Sequence, residues 1–187
     1  MYRLLALLCI TGTATAQPAT DPVQEPASWF SAGPSVGVGL GAERANLLAA
    51  GAHFHQPLGR GSLRVQLGAT VATELLGRDE LTEVHVAVGA TASEGPLLVA
   101  AAIGPSLARV NRSLYDDRSF EGGARTVLGA AVDVQATLVL VPNLGIGVDA
   151  FAHVNGPLPV VSIGPRLVIG RLPGALGSVP PRRRPAR

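Results

Sequence analysis

Between residues 29 and 172 the chain alternates apolar residues with small or polar ones at a period of two, the spacing that separates the two faces of a β-strand. The clearest stretch is SLRVQLGATVAT. Leu63, Val65, Leu67, Ala69 and Val71 share one face, and Ser62, Arg64, Gln66, Gly68, Thr70 and Ala72 share the other. TEVHVAVGATA repeats the pattern, with Val84, Val86, Val88 and Ala90 against Glu83, His85, Ala87, Gly89 and Thr91. Further alternating stretches lie at 33–42, 47–55, 97–109, 125–140, 144–153 and 160–171, separated by Gly, Pro, Asn and Asp clusters, so that eight strands are predicted.

What occupies the second face decides which way the strands look. A soluble barrel or sandwich would turn its large apolar face inward and show bulky charged residues to water. Here the second face is mostly Gly, Ala, Ser and Thr with isolated charges, a composition suited to a confined interior. The large apolar side chains then point outward. Strands of about nine to eleven residues or more, tilted and closed into a cylinder, are what a bilayer crossing requires. The connections QPLGRG, SEGP and VPN are short, and alternate with connections at 43–46, 74–81, 110–124 and 154–159, of which the second and third are long. Short periplasmic turns opposite longer outer loops are the expected asymmetry of such barrels. The fold expected is therefore all-β, an eight-stranded antiparallel up-and-down transmembrane β-barrel. The alternative is a soluble periplasmic or secreted lipocalin-like barrel holding an apolar ligand. It would point Val65, Leu67, Val86 and Val88 inward and Arg64, Gln66 and His85 outward.

The flanks add a compartment. MYRLLALLCITGTATAQ has an early Arg3, an apolar run from Leu4 to Ile10 and small residues ending at Ala14-Thr15-Ala16, the form of a secretory signal peptide with cleavage near Ala16. Leu8 stands before Cys9 where a lipoprotein site needs a small residue, and the mature chain then has no cysteine to form a disulfide. Residues 17–28 read as a Pro-rich linker, 29–172 as the barrel and 173–187 as a Pro/Arg-rich disordered tail. All basic residues are arginines; outside the signal and the tail there are ten against thirteen acids, which argues against nucleic acid as a partner.

These features, from the signal peptide through strand number and alternation to loop asymmetry, together resemble the small eight-stranded outer-membrane β-barrel proteins of the OmpA/OmpX-like kind, over about Trp29 to Leu172. The resemblance implies an outer-membrane location, outer-membrane lipid and the barrel-assembly machinery as partners, and a non-enzymatic role that is structural, adhesive or one of minor permeation. The chain departs from that group in having few aromatics (Trp29, Phe30, Phe54, Tyr115, Phe120 and Phe151) and in ending its last strand at Leu172 without a terminal aromatic.

No nucleophile elbow, phosphate loop, zinc signature or calcium loop occurs, and neither enzymatic activity nor a cofactor is expected. His53, His55, His85 and His153 all fall on the inward parity. With His53 and His55 near the periplasmic rim and His85 and His153 toward the outer rim, they read as polar lining, and no shared metal site is expected. The inward charges form the candidate site: the last hairpin brings Asp149 to Arg166, the preceding one adds Asp133 and Gln135, and Arg64 completes a polar lumen network. The loop at 110–124, with Arg112, Tyr115, Asp116, Asp117, Arg118 and Phe120, is the candidate extracellular contact surface. Finally, Pro34, Pro105 and Pro165 each sit mid-strand on the outward parity behind an inward Gly. Proline has no N–H to give a ladder, so bulges or interrupted ladder bonds are expected at all three.

Overall fold

A computed structural model describes residues 28–40, 44–58, 62–74, 80–111, 124–156 and 158–173. The signal segment, nearly all of the linker, the tail beyond Pro173 and residues 112–123 of the long loop lie outside the described residues. The strands are β1 (Trp29–Leu40), β2 (Arg44–Pro57), β3 (Leu63–Glu74), β4 (Glu80–Glu94), β5 (Leu97–Asn111), β6 (Arg125–Val141), β7 (Leu144–Val154) and β8 (Val160–Gly170). Each pairs antiparallel with the next, and β8 returns to β1, so the sheet closes with no free edge. No helix occurs among the described residues.

β1 starts earlier than the alternation alone suggests, because Trp29 and Phe30 are paired on both sides, with His55 and Phe54 of β2 and with Gly170 and Ile169 of β8. The β4–β5 hairpin turns in two residues, Gly95 and Pro96, where the left-handed φ of +54° at Gly95 suits a residue without a Cβ.

The facing is inside out relative to a soluble barrel. Leu67, Val86 and Val88 are 49%, 51% and 52% exposed on the outer wall, whereas Gln66, His85 and Arg64 are buried. The lipocalin-like alternative required the reverse. Inside, the layers differ along the axis. Trp29, Leu98, Ala100, Val139, Val168 and Leu172 form an apolar cluster at the short-turn end. Leu47, Ala49, Ala72, Leu81, Ala108, Val110, Leu158 and Val160 form another at the long-loop end. Asn155 fastens the second lid, donating from Nδ2 to the Leu158 carbonyl at 2.8 Å and accepting the Leu158 N–H at 2.6 Å. Buried polar side chains, among them Gln66, Asp133, Asp149 and Arg166, lie between the two clusters.

All three mid-strand prolines point outward and are exposed. The β1–β8 ladder runs to Ala32↔Leu167, stops, and resumes at Val36↔Ile163. Its register is unchanged across the gap, which sets Pro34 opposite Pro165. The carbonyl oxygens of both prolines lie against the facing glycines, Gly164 and Gly33. In an antiparallel strand a residue's nitrogen and oxygen point to the same neighbour, so both missing donors meet in one seam. On their other sides the ladders are intact, Pro34↔Ala50 and Val148↔Pro165. Pro105 does the same alone: the β4–β5 ladder breaks between His85↔Ser106 and Val88↔Ile103, while Pro105↔Ala130 holds. The expected interruptions occur, each on one side of its strand and without a bulge. The register shift among the described strands is elsewhere, between Val139 and Val141 opposite β7.

Candidate functional site: the polar middle of the lumen

Arg166 of β8 projects inward from the Gly-Pro-Arg stretch and ties four strands together. Its Nε and Nη2 donate to Asp149 Oδ2 on β7 at 3.0 and 2.5 Å, and its Nη1 donates to the carbonyls of Gly33 on β1 at 2.8 Å and Gly51 on β2 at 2.5 Å. Gly51 is the residue that makes room, since a Cβ there would stand 2.8 Å from Nη2. Both partners are buried, so the pair is strongly coupled.

Asp133 and Gln135 follow on β6, with Gln135 directly across from Asp149 in the ladder. The Asp133 and Asp149 carboxyls are close enough to interact. Asp133 Oδ2 also lies 3.0 Å from His53 Nδ1 and accepts from Gln66 Nε2. Gln135 donates to Thr137 Oγ1 at 2.7 Å. Arg64 stands lower, toward the short-turn end. Its Nε donates to Thr91 Oγ1 at 2.8 Å, and its guanidinium lies 4.0 Å from the centre of the Trp29 ring. Trp29 in turn stacks on His55, 4.6 Å between centres and 18° from parallel.

The expected separation of His85 from the His53–His55 pair is overturned. His53, Gly68 and His85 face one another in a row across β2, β3 and β4, and the rings of His53 and His85 are 5.3 Å apart. Gly68 is the reason they meet: with no side chain on β3 between them, the two rings close over it, and a Cβ at that position would strike both. Phe151 packs over His85 at 5.7 Å and near His53 at 6.1 Å. His85 is fixed from both ends, with Nδ1 2.9 Å from Glu83 Oε1 and Nε2 3.3 Å from Gln66 Nε2. His153 sits elsewhere, its Nδ1 3.1 Å from Asn155 Nδ2. The inward parity of all these residues was visible in the alternation. Their meeting was not, because it depends on the stagger between strands.

A closed, eight-stranded, all-antiparallel up-and-down cylinder with a polar interior and an apolar outer wall is the fold of the small outer-membrane β-barrels. Solved structures with this fold include Neisserial surface protein A, at 12% identity and a TM-score of 0.60, covering 76% of this chain and 96% of that one. Ail, the attachment invasion locus protein of Yersinia pestis, matches at 12% identity and a TM-score of 0.57, covering 80% of this chain and 100% of Ail. A second structure of Ail, in complex with the heparin analogue sucrose octasulfate, matches at 10% identity and a TM-score of 0.52, with 80% and 100% coverage. No protein-family model matches the sequence, and no curated protein matches it.

Proposed function

We propose that this chain is a non-enzymatic outer-membrane β-barrel protein, exported by its signal segment, with a structural or adhesive role and at most minor permeation through a plugged lumen. The observation that carries this reading is the outer wall. Large apolar side chains such as Val86, Ile103, Leu128, Ile146, Ile163 and Leu167 stand exposed around the cylinder, and water is a poor solvent for so continuous an apolar band. Lipid acyl chains are the partner that this band fits. The plug is supported by the two apolar clusters that bracket the charged middle, and by the Arg166–Asp149 bonds that run between strands within it. An adhesive role draws on the structural neighbour named for attachment and invasion, and would fall to the loop at 110–124, whose residues 112–123 are outside the described set. Partnership with the barrel-assembly machinery belongs to the same reading.

Cell fractionation followed by gel electrophoresis of heated and unheated samples tests it. The expected result is recovery in the outer-membrane fraction, with a folded band that changes mobility on boiling. Recovery in the soluble periplasm without detergent would overturn the reading.

A further inference from the structure

We propose that His53, His55 and Asp133 form a binding site for one divalent first-row transition-metal ion of the zinc type inside the barrel. This goes beyond the membrane reading and does not depend on it. His53 and His55 are two apart on β2, which places both imidazoles on the inward face. Asp133 reaches them from β6. One donor atom from each of the three lies within 4.8 Å of the others, and His53 Nδ1 and Asp133 Oδ2 are 3.0 Å apart. In a tetrahedral site with bonds of about 2.0–2.1 Å the donors stand about 3.3 Å from one another. Closing the triad around an ion thus takes side-chain shifts of up to about 1.5 Å, within the reach of rotamer adjustment.

Chemistry and surroundings point the same way. Two imidazoles and one carboxylate suit zinc, cobalt, nickel or copper rather than the all-oxygen cages of magnesium or calcium. Each of the three side chains also keeps a buried atom with no protein hydrogen bond, namely His53 Nε2, His55 Nε2 and Asp133 Oδ1. An outer partner holds one ligand in place, since Gln66 donates to Asp133. His85 is engaged by Glu83 and Gln66, which leaves the fourth position to water.

The test uses the mature full-length chain without a polyhistidine tag, folded in detergent micelles and stripped with a chelator. Equilibrium dialysis against Zn²⁺ should give one ion per barrel, and Co²⁺ should give the visible absorption of a four-coordinate site. H53Q, H55Q and D133N should each weaken Zn²⁺ binding by more than the about 10- to 100-fold that loss of an outer-shell partner costs. H153Q, which removes an inward histidine outside the triad, should leave binding unchanged. Heat-modifiable migration establishes that each variant is folded. Should a ligand variant fail to fold, the wild-type stoichiometry and cobalt spectrum decide the question alone. Binding well below one equivalent, a purely octahedral cobalt spectrum, or wild-type affinity in all three ligand variants would overturn the site. The first result would leave a His53–Asp133 polar contact only, and the others adventitious binding to surface carboxylates.

Discussion

Replacing Arg166 with methionine keeps a long apolar stem in the lumen and removes the guanidinium bonded to Asp149. Four hydrogen bonds go with it, two to Asp149 Oδ2 and one each to the carbonyls of Gly33 and Gly51. Taking one partner from a buried ion pair costs about 3–5 kcal/mol, because the other charge is left desolvated. Asp149 is 1% exposed, so water has little access to the orphaned carboxylate. Removing both charges in R166M/D149A eliminates that penalty, and the double variant should be more stable than R166M alone. The two glycine carbonyls lose their donor with or without Asp149 and cancel from the cycle. The coupling energy should therefore be at least about 2 kcal/mol. The sequence contains one tryptophan, Trp29, packed in the lumen against His55 and Arg64. Its fluorescence reports unfolding in denaturant from detergent or lipid directly. Additivity of R166M and D149A within about 0.5 kcal/mol would refute the pairing.

Further expectations concern the wall, the seam and the stacked rings. V86R places a guanidinium on the outer face and should destabilise the barrel by about 2–4 kcal/mol in lipid if Val86 lies near mid-bilayer; an unchanged unfolding midpoint in vesicles would contradict lipid contact there. G68A drives a Cβ into the His53 and His85 rings and should cost about 1–3 kcal/mol, whereas G156A, with open space around it, should cost far less in the same assay. P34A/P165A supplies both missing donors to the β1–β8 seam. Amide exchange at those two positions should then be as slow as at flanking ladder residues, and fast exchange at both would mean that strand separation, rather than proline, interrupts the ladder. N155A frees the Leu158 lid and should lower stability by about 1–2 kcal/mol in the Trp29 assay.

Local pattern carried the fold because closure turns one parity inward: on β3 the face assigned inside includes Arg64, Gln66, Thr70 and Ala72, and these four are buried. The Asp149–Arg166 contact was also legible, since one short hairpin joins β7 to β8 and the turn fixes which residues oppose each other. The histidine cluster failed for a geometric reason. Position along a single strand puts His85 toward the outer rim, but strands in a closed barrel are staggered. β4 runs on to Glu94, four residues past Ala90, the partner of the first residue of β3, so His85 sits mid-strand yet level with His53 near the end of β2. Only the full set of registers gives that level, and a glycine at 68 carries no signal of what passes over it. Trp29, on the same parity as Gly33, lies buried beneath Arg64, while Phe30 faces outward.

The facing prolines of β1 and β8 matter most before the cylinder exists. Until the first and last strands meet, they are the two open borders of an eight-stranded sheet, the places where a second copy could add a strand. At the centre of each border stands a residue that cannot donate a hydrogen bond to an incoming chain. A stray strand finds a broken template on either side, while the proper partner, carrying the same gap at the same height, sacrifices nothing further by pairing there. The native closure therefore loses nothing beyond what each border already lacks, whereas a foreign strand laid on either border would leave one of its own acceptors unpaired at the proline.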